Sequence, residues 1–74
     1  MTVFELWDER TSRAIGRWPT EADALAVVRD LLDRGEVMTV AALVLRSTDW
    51  GQPPTIVASG ATLGALARRS HPES

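Results

Sequence analysis

The chain has 74 residues, a net charge of −2 at neutral pH and no cysteine, with 45% hydrophobic and 24% charged residues. Disulfide and thiolate-metal staples are thereby excluded, wholesale disorder is not expected, and no apolar run approaches the roughly 20 residues that a membrane span needs. The acidic balance also works against generic nucleic-acid binding, which rests on a surplus of basic charge. No signal-peptide pattern opens the sequence, so the expectation is a soluble, cytoplasmic protein. All eight basic residues are arginine. A GC-rich coding sequence accounts for that by itself, and the composition permits an arginine-mediated contact without arguing for one.

Residues 2 to 7, TVFELW, alternate as a strand does, with Phe4 and Leu6 on one side and Val3, Glu5 and Trp7 on the other. The polar stretch DERTSR, residues 8 to 13, reads as a hairpin loop. AIGRW, residues 14 to 18, reads as a second strand in which Gly16 marks a bulge or a close approach. Pro19 ends it. Thr20 followed by Asp23 then has the form of a capping box, and Glu21 and Asp23 place negative charge where a helix dipole favours it. Leu25, Val28 and Leu32, widened by Ala24, Val27 and Leu31, form an apolar stripe at helical spacing. Arg34 and Gly35 close that helix, and Asp30 with Arg34 supplies an exposed pair worth about 0.3 kcal/mol.

TVAALVLR, residues 39 to 46, has the strongest strand composition in the chain and is apolar at both parities, as a strand covered on both sides would be. STDWGQPP, residues 47 to 54, reads as a turn and TIVA, residues 55 to 58, as a fourth strand. Ser59 and Gly60 open a second helix with Leu63, Leu66 and Ala67 as its stripe and Arg68 and Arg69 at its end. The expected architecture is α+β: a ββαββα two-layer sandwich, a four-stranded antiparallel sheet with two helices on one face. Residues 1–70 make one domain, and residues 71–74 a flexible tail.

Two helices shield one side of such a sheet. The other side would present Val3 and Trp7 with either parity of the 39–46 strand, so Val40, Ala42 and Val44 join them as candidate interface residues. Burying about 600 Å² of apolar area there would contribute on the order of 15 kcal/mol before association costs. Trp50, beside Gly51 near a hairpin tip, is a further candidate anchor, though a ring folded back onto the sheet fits the sequence as well. The functional expectation is a non-enzymatic interaction module that self-associates through its sheet, as a homodimer, or binds another protein. A nucleic-acid-binding or antitoxin-like role through Arg10, Arg13 and Arg17 is the alternative, weakened by Asp8 and Glu9 beside them.

No catalytic constellation emerges. His71 is the sole histidine, too few for a zinc site or a held Ser-His-acid triad. The ten acids are dispersed, and SGATLG, residues 59 to 64, lacks the Walker lysine and the dinucleotide-binding glycine spacing. No cofactor is expected. FELWD in the first strand, TEADALAVVR in the helix, LVLR in the third strand and IVASGATL at the second helix resemble a group of short, uncharacterised bacterial proteins. That resemblance spans most of the chain, implies no ligand and lends no site residues.

Overall fold

The computed structural model describes residues 2–69. His71 and the expected tail lie outside them. Four strands, β1 (Thr2–Asp8), β2 (Arg13–Trp18), β3 (Leu43–Asp49) and β4 (Thr55–Ser59), form one antiparallel sheet in the order β2-β1-β3-β4. Three helices, α1 (Glu21–Asp33), α2 (Val37–Ala41) and α3 (Gly60–Arg69), pack on one side of it. The α+β class and the two-layer arrangement are those read from the sequence, with one added short helix.

Alternation along β1 and β3 decides which side is which. Leu6, Leu43 and Leu45 are fully buried and meet Ala24, Leu25 and Val28 of α1 and Leu63 and Ala67 of α3. Phe4 and Trp18, paired across β1 and β2, pack on the edge of the same core. The Trp18 ring lies over Gly16, where a Cβ would stand 2.9 Å from it. The glycine is therefore a point of close approach, and the pairing also slips by one residue beside it, leaving Ile15 unpaired opposite Leu6 and Trp7. β4 carries a matching bulge at Val57.

The caps of α1 follow their sequence signals. Thr20 Oγ1 accepts from the Asp23 amide at 3.1 Å. At the other end the Glu36 amide donates to the Leu31 carbonyl and the Gly35 amide to that of Leu32, with Gly35 at φ +81°, a Schellman motif. Asp30 and Arg34 form the expected exposed ion pair at 3.0 Å.

The run from residue 39 to 46 departs from expectation. Its first half is helical: α2 turns out of the Schellman motif, Val40 N–H bonds back to the Glu36 carbonyl, and β3 starts only at Leu43. β-branched composition argued for a strand, yet Val37, Val40 and Ala41 stand at the i, i+3, i+4 spacing of a helix face. Burial of Val40, 2% exposed, against Leu32 and Gly64 favours the helical turn over the intrinsic preference. The apolar run therefore divides into a helical first half and a strand whose first three residues, Leu43, Val44 and Leu45, are buried at both parities.

Candidate interaction surface: the open face of the sheet

Among the described residues no helix lies over the second face of the sheet. The register places its residues in rows across the four strands. One row runs Arg17, Glu5, Arg46, Ile56; the next runs Ala14, Trp7, Val44, Ser59; Val3 pairs with Thr48 beyond them. The expected aliphatic stripe is therefore absent. Of the β3 aliphatics only Val44 faces this way, and it is just 7% exposed opposite Trp7.

A charged ladder occupies the centre instead. Glu5 is buried and accepts from Arg17 Nε at 3.1 Å through Oε2, and from an Arg46 amino group through Oε1. The Arg46 guanidinium also lies over the Trp7 ring, 4.8 Å from its centroid, a cation–π contact that is strongest where water is scarce. Burial pushes the Glu5 carboxyl up, but hydrogen bonds and charge from Arg46 and Arg17 outweigh it and hold the group below its usual range. Arg46 Nε is itself buried with no hydrogen-bond partner among the described residues. Two cations and one anion leave this ladder with a surplus positive charge on an acidic chain.

The structure sorts the residues named from sequence. Val3, Trp7 and Val44 lie on the open face. Val40 does not: it belongs to α2 and is buried in the core on the helix side. Ala42 caps α2, half-buried, its carbonyl accepting from the Glu9 amide at 3.0 Å. Trp50 stands 91% exposed at the β3–β4 turn, so its ring does not fold back. Glu5 and Arg46 were missed, and Arg17 was named only as part of the basic hairpin. The signal was present as Glu5 in β1 with arginines in both flanking strands, but it becomes readable only once the strand order is known.

The arginine hairpin is partly engaged. Arg10 bonds Asp8 through its backbone amide at 2.9 Å and its guanidinium at 3.4 Å. These bonds hold the Asp8 carboxyl below its usual range. Arg17 is tied to Glu5, so two of the three arginines already meet carboxylates. Among the described residues no group of three or more His, Cys, Asp or Glu could hold a metal ion. An apolar cleft of about 170 Å³ between Leu32, Val40, Gly64 and Arg68 and a polar one of about 340 Å³ near Ser47 and Thr55 are shallow. Among the described residues no helix is long and apolar enough to cross a membrane. Comparison with protein-family models, curated proteins and solved structures finds no match.

Proposed function

We propose that this chain is a non-enzymatic protein-interaction module whose contact surface is the open face of the sheet. The observation that carries it is one-sided cover: among the described residues, helices cover β1 to β4 on one face only. The face left open holds a half-buried Trp7, an Ile56 that is 65% exposed and a ladder of alternating charge, with Val44 buried beneath them. Aromatic and arginine side chains of this kind anchor protein contacts more often than other residues do. The non-enzymatic half rests on Glu5 and Asp8. Both are held ionised by arginines rather than in the unequal environments that acid and base catalysis needs.

The test is the mass of the native species in an extract of the cells that make it. Tagged at low expression, the chain is expected in a complex of at least twice its own 8.1 kDa, and Arg46→Glu is expected to release it as a monomer. A monomer-sized species in the extract overturns the reading. Capture of polyanions with a steep salt dependence, lost on Arg13→Ala, would replace it with nucleic-acid binding.

A further inference from the structure

We infer that the occupant of this face is a second copy of the chain, stacked sheet on sheet about a two-fold axis running along the strands between β1 and β3. The inference rests on the proposed role of the open face and names the partner. It starts from the sheet order. With two strands on either side of the β1–β3 junction, that junction is the middle of the sheet. A two-fold axis lying there, parallel to the strands, sets β1 over β3 of the partner subunit and β2 over its β4, and leaves the rows level.

The rows then complement themselves. Glu5 stands over Arg46 of the partner subunit and Arg46 over the partner's Glu5; Trp7 stands over the partner's Val44; Arg17 stands over the partner's Ile56. The four positions nearest the axis, Glu5, Trp7, Val44 and Arg46, are those least displaced by the roughly 30° rotation between stacked sheets. Each Glu5 gains another guanidinium and each Arg46 guanidinium another carboxylate. An axis perpendicular to the strands would stack Glu5 on Glu5 and Arg46 on Arg46 if it crossed their row, and would set the charged row over Trp7 and Val44 if it crossed between the two rows; neither placement gives Glu5 an arginine, so the register favours the first axis. The edges offer no rival route. β2 is bulged at Ile15, β4 at Val57, and Pro53 and Pro54 precede β4, all features that resist lateral strand addition.

Purified wild-type protein at micromolar concentration, measured by sedimentation equilibrium, is expected to weigh twice 8.1 kDa. Glu5→Arg alone and Arg46→Glu alone are expected to be monomers, and an equimolar mixture of the two to recover a dimer, because every stacked charge pair is then Arg on Glu. Far-UV circular dichroism checks that each variant folds. Ile56 is exposed and safe to change, so it covers the case in which the charge variants unfold. Facing Arg17 of the partner subunit, Ile56→Glu is expected to tighten the dimer severalfold, and Ile56→Arg to loosen it by about tenfold. A monomeric wild type overturns the second-copy inference, and a face-dependent complex in the cell extract would then leave the interaction reading standing with another partner. A wild-type dimer that survives both single charge variants, or that responds alike to Ile56→Glu and Ile56→Arg, overturns the stacked geometry.

Discussion

Glu5 shows how one side chain turns a half-covered sheet into a defined surface. Its carboxylate is shared between arginines of two neighbouring strands, so β2, β1 and β3 are tied together on the side the helices do not reach. Glu5→Gln should cost about 1–3 kcal/mol at neutral pH, less than a fully buried pair because Arg17 is largely solvated. Urea unfolding measures it. The same group predicts an acid limb. A carboxyl whose folded-state affinity for protons is lowered stabilises the fold above the unfolded pKa and loses that contribution as pH falls through the folded one. Stability should therefore decline below about pH 4.5, and Glu5→Gln should flatten part of that decline, leaving the share due to Asp8. Two glycines complete the residue scale. Gly35→Ala should cost about 1–2 kcal/mol because its φ is left-handed, and Gly16→Ala about 1–2 kcal/mol by pushing the Trp18 ring off the core.

At the scale of elements, α2 is the informative one. In a strand, Met38 and Val40 would share a face; in the short helix they do not, since Met38 is 79% exposed and Val40 is buried. Val40→Ala should lower stability by about 1–2 kcal/mol, whereas Met38→Ser should stay within about 0.5 kcal/mol, as urea midpoints would show. Comparable losses at both positions would contradict the helical turn. The contrast also marks how far the sequence could be read. α1 was legible in full, because stripe, Thr20 cap, dipole charges and Gly35 stop all point the same way. β1, β2 and β4 were legible by alternation and punctuation, and Gly16 was correctly singled out. Residues 37–42 were not, because local β-branched composition conflicts with the burial that tertiary contacts impose there. The candidate surface was half legible. Val3, Trp7 and Val44 follow from parity along single strands, but the Arg17–Glu5–Arg46 ladder is a property of strand neighbours, and neighbour order is set by long-range packing that no local pattern encodes.

For the whole molecule, the proposed stacking makes folding and association one equilibrium. The thermal midpoint should then rise with protein concentration, by mass action, and Arg46→Glu should abolish that dependence as well as lower the midpoint itself; calorimetry over a hundredfold concentration range would show both. Proportions give the last consequence. A single copy is a slab, 36 × 33 × 17 Å, with one helical layer on one sheet. Placing two such slabs back to back, with about 10 Å between the stacked sheets, more than doubles the short dimension and yields a body of broadly comparable axes. Small-angle scattering would see a flattened particle become an almost isometric one, with the tryptophan-bearing middle withdrawn from solvent and the helices forming both outer walls.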